Sequence, residues 1–124
     1  MTRRRIREIA NEMAAAEAAC WNDLWPVLEE CSQLLRELAP VKRRLFMAHV
    51  VAELHDEQDG LCAICSGPLD LDALHVDHRI PFTWGGGNER GNLQVAHPRC
   101  NQRKADAVEA YDLVPYLESR CMNI

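Results

Sequence analysis

Cys62-Ala63-Ile64-Cys65, answered after residues 66–96 by His97-Pro98-Arg99-Cys100, is the stretch that decides the fold. Within each pair two residues separate the donors, so a tight turn can aim both at a single ion, and zinc accepts four such ligands in a closed tetrahedron. A filled Cys₃His shell has no position for water. The expected ion is therefore structural, and for so small a module its binding energy is largely folding energy. Six cysteines in 124 residues could also spell a disulfide framework. The paired spacing speaks against that, as does the start Met1-Thr2-Arg3-Arg4-Arg5, which no apolar export-type segment follows.

Between and around the ligand pairs the texture is Gly, Pro, Cys and His with short apolar runs. Leu74 to Ile80 reads as a strand, Thr83 to Asn92 as a loop around Gly85-Gly86-Gly87, and Leu93 to Ala96 as a second strand. Pro98 suits the first turn of a helix, which is expected to run to about Ala110. The unit is strand, loop, strand, helix.

Inside this unit stand Val76-Asp77-His78-Arg79-Ile80-Pro81, then Gly85-Gly86-Gly87-Asn88, Asn92-Leu93-Gln94, and Cys100-Asn101-Gln102-Arg103-Lys104. In order and spacing these segments resemble the HNH endonuclease family, the ββα-metal nucleases. The resemblance implies that Asp77 and Asn101 are oxygen ligands to a catalytic divalent cation. It also implies that His78 is the general base and that Asn92 is the middle letter of the motif, restraining the strand that bears the base. His97 stands where a third cysteine is commoner, and Asn101 where some relatives have histidine.

The chemistry suits these residue types independently of the name. Attack on a phosphodiester requires water to lose a proton, and an imidazole, ordinarily titrating at about 6.5, can take it near neutral pH. A carboxylate and an amide are hard donors that suit Mg²⁺ or Mn²⁺, whose charge offsets that of the phosphate and the departing oxygen. Arg79, Arg103 and Lys104 are expected to contact phosphates. The net charge of −5 argues against a protein that coats DNA. Residues 78–104, however, hold Arg79, Arg90, Arg99, Arg103 and Lys104 against Glu89 alone among acids, a local basic face within an acidic whole.

Upstream, Ile6, Ile9, Met13, Ala16 and Cys20 recur at steps of three or four and predict a helix over 6–20. Pro26 breaks the pattern, with Asp23 able to cap a second helix through Leu24, Leu28, Cys31, Leu35 and Leu38 that ends at Pro40. A third helix is expected from Val41 to about His55, before the turn Asp59-Gly60. Cys20, Cys31 and Cys121 read as plain thiols, the first two of them core. His49 and His55 read as packed or solvated, and His75 is a weaker candidate for the cleft. Trp21 and Trp25 read as core in preference to base-stacking. Arg3, Arg4, Arg5 and Arg7 read equally as a DNA-binding arm or a solvated end. The tail from Tyr111, interrupted by Pro115, is expected to pack back on the first helices.

The reading is thus an α+β chain: helices over 1–58, a zinc-bound ββα-metal module over 59–110, and a tail over 111–124. The expected activity is metal-dependent hydrolysis of DNA strands in the cytoplasm, with structural zinc and catalytic Mg²⁺ or Mn²⁺ as cofactors. DNA is the expected partner, with the module's helix at its minor groove as the resemblance implies. No membrane segment is expected. A homodimer or a larger protein partner docking on the N-terminal helices is left open, as is a module that holds nucleic acid without cutting it.

Overall fold

The computed structural model describes residues 2–42 and 45–123. Among them are five α-helices and one two-stranded sheet, an α+β arrangement built around two apolar clusters.

The first cluster is a helical bundle. Helix α1 (Thr2–Ala15) turns Ile6, Ile9 and Met13 inward, and α2 (Trp25–Leu38) turns in Leu28, Cys31 and Leu35. These are the positions that a period of 3.6 puts on one face. Helix α1 is shorter than the apolar repeat suggests. Glu17 is extended (φ −74°, ψ 147°), and Ala18–Leu24 coils as a 3₁₀ segment in which the Trp21 indole donates to the Ala16 carbonyl at 3.3 Å. This corner reverses the chain so that α2 packs on α1, and it leaves Cys20 exposed, not core. Pro26 sits in the first turn of α2, where its missing N–H costs nothing, but no side chain caps that turn, so Asp23 is not a cap. Trp21 and Trp25 pack against the cluster as expected.

The third wall of the bundle is α5 (Ala110–Met122), which contributes Leu113, Val114, Leu117 and Cys121. The tail does pack on α1 and α2, but as a full helix. Pro115 lies on its exposed face in the second turn, where one backbone bond is forgone and the apolar stripe continues past it. Cys31 and Cys121 meet in the core with their sulfurs 3.4 Å apart. The Cys121 thiol and burial together push the Cys31 thiol up, so it stays protonated.

The second cluster joins α3 (Ala48–Glu57), β1 (His75–His78), β2 (Leu93–Ala96) and α4 (Pro98–Lys104). Helix α3 begins later than expected, at Ala48. Arg43 and Arg44 lie outside the described residues, Val41 and Lys42 are not helical, and residues 45–47 form a strap with Leu45 98% exposed. Helix α3 docks on the module and not on the bundle. His55 bonds the Leu69 carbonyl at 2.7 Å, and the Gln58 amide bonds both N–H and C=O of Val95 at 2.9 Å, extending the β2 edge as a strand would. Asp59 (φ 56°) and Gly60 (φ 70°) make the expected turn.

Strands β1 and β2 pair antiparallel, with Asp77 opposite Gln94 and His78 opposite Leu93. Helix α4 stops at Lys104, short of the expected Ala110, because Ala105 turns to φ 47° and starts the link to α5. Ile80, directly after β1, is fully buried in the helical bundle, so the bundle core grips the segment that leads from His78. Trp84 adds an edge-to-face contact to Trp25, ring centroids 5.2 Å apart. No helix among the described residues is long and apolar enough to cross a membrane.

Candidate metal and hydrolytic centres

The two ligand pairs meet. A tight turn closed by Ser66 N–H to Cys62 carbonyl (2.9 Å) and Cys62 N–H to Gly67 carbonyl (2.8 Å) brings Cys62 and Cys65 together, and α4 brings His97 and Cys100 beside them. The three sulfurs and a ring nitrogen of His97 lie within 4.8 Å of one another. A tetrahedral zinc with bonds of about 2.0–2.3 Å sets its ligand atoms about 3.5–3.8 Å apart, so this cluster could hold one with small adjustment.

Backbone donors prepare the cluster for charge. Burial opposes ionisation of the Cys62 thiol, but backbone N–H groups, including those of His97 and Ile64 at 3.4 Å, outweigh it and bring the thiol down to about 6. His97 Nε2 lies 2.8 Å from the Pro68 carbonyl, which can only accept, so Nε2 bears the proton. Its Nδ1 lone pair then faces Cys65 and Cys100 sulfurs at 3.3 and 3.7 Å, the tautomer a metal ligand needs.

Along β1 and α4 a cleft of about 600 Å³ is lined by His75, Asp77, His78 and Asn101, with Phe46 and Phe82 among its apolar walls. Asp77 is 7% exposed. Its Oδ2 accepts from Gln94 Nε2 at 2.9 Å, the cross-strand partner set by the register, and from Lys104 Nζ at 3.1 Å. The ammonium of Lys104 also bonds the His78 carbonyl at 3.0 Å, so this residue points inward from the last turn of α4 and not toward the surface. Asn101, one turn earlier on the same helix face, places Nδ2 3.4 Å from His75 Nδ1.

His78 lies with Nε2 2.7 Å from Asn88 Oδ1 and its ring tilted against Phe82, centroids 4.6 Å apart. Asn92 is 1% exposed and does not line this cleft. Its Oδ1 accepts from Ile80 N–H at 2.8 Å, while Nδ2 donates to the carbonyls of Ile80 (3.0 Å) and Gly87 (2.9 Å). One amide thus ties the segment after β1 to the glycine loop. Gly86 is forced there, since a Cβ would stand 1.6 Å from the Ile80 oxygen. Arg79 pairs with Asp112 at 3.3 Å, and the exposed Arg103 leans on Cys100 Sγ at 3.7 Å.

Asn88, Gln94 and the inward turn of Lys104 are the site features that sequence reasoning missed. Gln94 was recoverable from strand register once Asp77 was singled out, whereas an Asn after three glycines reads only as a turn residue. Comparison with known proteins agrees with this geometry. Residues 62–107 match the family model of the HNH endonucleases. No curated protein and no solved structure matches the chain. With its four paired metal donors and the motif segments meeting around one sheet and one helix, the chain carries an HNH endonuclease domain.

Proposed function

We propose that this protein is a metal-dependent endonuclease that hydrolyses phosphodiester bonds of DNA. The observation that carries the reading is that Asp77, His78 and Asn101, from two strand positions and a helix far apart in sequence, line one open cleft. Asp77 and Asn101 are the proposed oxygen ligands of a divalent cation, Mg²⁺ or Mn²⁺. The donor set fits such a cation. A carboxylate offers about four lone-pair directions, of which Gln94 and Lys104 take three, leaving one on Oδ1 for a hard ion.

When bound, the cation supplies positive charge against the phosphate oxygens and the departing sugar oxygen. His78 takes a proton from water on a ring nitrogen as the water oxygen bonds to phosphorus. The phosphorus bond to the sugar oxygen breaks, and that oxygen regains a proton from solvent. Asn92 holds the strand end so that the imidazole stays aimed into the cleft. Lys104 keeps the Asp77 carboxylate in place and its charge compensated. Arg79 and Arg103, both solvent-accessible, are proposed phosphate contacts. The Cys62/Cys65/His97/Cys100 cluster, filled by zinc, holds the module, and the helices over 1–58 and 111–124 brace it.

Supercoiled plasmid incubated with zinc-loaded protein and Mg²⁺ or Mn²⁺ tests the reading. The parent is expected to nick and His78→Ala to lose nicking by at least about 100-fold. Tight DNA binding with no cutting by either would replace the nuclease with a binding module.

A further inference from the structure

His78 and Asn88 form the inner part of a short hydrogen-bond relay that begins at Lys42, after α2. Asn88 Nδ2 donates to the Lys42 carbonyl at 2.8 Å, and Asn88 Oδ1 lies 2.7 Å from His78 Nε2. A backbone carbonyl can only accept, so the NH₂ end of the amide must face Lys42 and its oxygen must face His78. An amide oxygen also only accepts. Nε2 of His78 therefore carries the hydrogen, and the lone pair of the neutral ring sits on Nδ1.

Resting on the reading of His78 as the base, we propose that Asn88 is a positioning residue that fixes His78 as the Nε2–H tautomer and so reserves Nδ1 for the proton of the attacking water. The relay is held from both sides. Gly87 N–H donates to the Tyr116 hydroxyl at 2.8 Å, that hydroxyl donates to the Glu89 carboxylate, and Asn92 takes the Gly87 carbonyl, so both chain neighbours of Asn88 are anchored. The ring itself is flanked by Phe82 and Phe46, at centroid distances of 4.6 and 6.1 Å. Lys42, Phe46 and Tyr116 all lie outside residues 62–107. The amide proposed to set the tautomer is thus oriented and braced by parts of the chain beyond the matched residues.

The test is a long-range ¹H–¹⁵N correlation spectrum of the zinc-loaded full chain at about pH 8.5, where a histidine is ordinarily neutral. The His78 signals are identified by their absence from His78→Gln. The parent should show Nε2–H, Asn88→Leu a mixture of tautomers, and Asn88→Asp, whose carboxylate gives up the Lys42 carbonyl but still accepts from Nε2, the parental form. In plasmid nicking, Asn88→Leu should lose about 10- to 100-fold in kcat with KM changed less than about twofold and zinc content unchanged, as expected for a misplaced base. An Nδ1–H ring in the parent overturns the proposal, and that spectrum decides whatever the variants do to folding. So does Asn88→Leu with parental tautomer and kcat. A chain that shows the Asn88-dependent tautomer yet never nicks DNA overturns the nuclease reading and leaves the relay standing.

Discussion

Replacing Asn92 by alanine should cost more stability than its small size suggests. The side chain is 1% exposed and makes three hydrogen bonds of 2.8, 3.0 and 2.9 Å to the N–H and carbonyl of Ile80 and the carbonyl of Gly87. Truncation strands one buried donor and two buried acceptors, each at about 1–3 kcal/mol. A water entering the vacated space would recover part of this, leaving a loss of about 3 kcal/mol against a total stability of about 5–15 kcal/mol. With a urea slope of about 1.5–2 kcal/mol per molar, the midpoint should fall by about 1.5–2 M. Urea titration of zinc-loaded protein, followed by the fluorescence of Trp21, Trp25 and Trp84, measures this, and plasmid nicking on the same samples should fall in parallel. Asn92→Asp should not rescue, because its second oxygen would face two carbonyls. A midpoint shift under about 0.3 M with unchanged nicking would refute the view that this amide holds the segment that leads from His78.

Other outcomes follow from the same structure. Chelation of zinc should unfold the module, and zinc should be retained at neutral pH and released only in acid, below about 6. Without metal the Cys62 thiol already ionises at about 6, and a bound zinc, which competes with the proton, moves its protonation lower still, as atomic absorption across a pH series checks. Leu117→Ala, at a fully buried position of α5 against α1 and α2, should cost about 2–5 kcal/mol in urea unfolding while leaving zinc content intact. Gly86→Ala, whose new carbon would stand 1.6 Å from the Ile80 oxygen, should disrupt the loop and abolish nicking, whereas Gly91→Ala, which meets nothing within 4 Å, should be neutral in both assays.

The parts legible in the sequence were those whose signal is local. The ligand pairs announced themselves through spacing, and Leu93–Ala96 was read to the residue because its apolar run is bounded by the loop and by His97-Pro98. The bundle face of α1 and α2 was equally plain from periodicity. Pro115 hid α5, although Leu113, Val114, Leu117 and Cys121 keep helical steps, because a proline on an outer face does not interrupt packing on the inner one. Val41 and Leu45 fit a helical repeat yet neither is helical, and the Lys42 carbonyl is taken by Asn88. Long-range partnerships of this kind leave no periodic trace. For the same reason Lys104 was read only as a phosphate contact, and the bond from its ammonium to Asp77 was not foreseen.

Anomalous diffraction from a crystal of zinc-loaded protein soaked in Mn²⁺, with data collected on both sides of the manganese edge, tests the central claim most directly. The account predicts one manganese peak in the cleft within bonding distance of Asp77 and Asn101, beside His78 and apart from the cysteine-held zinc. Manganese only at other positions, with the Asp77–Lys104 pair undisturbed and the cleft metal-free, would contradict it.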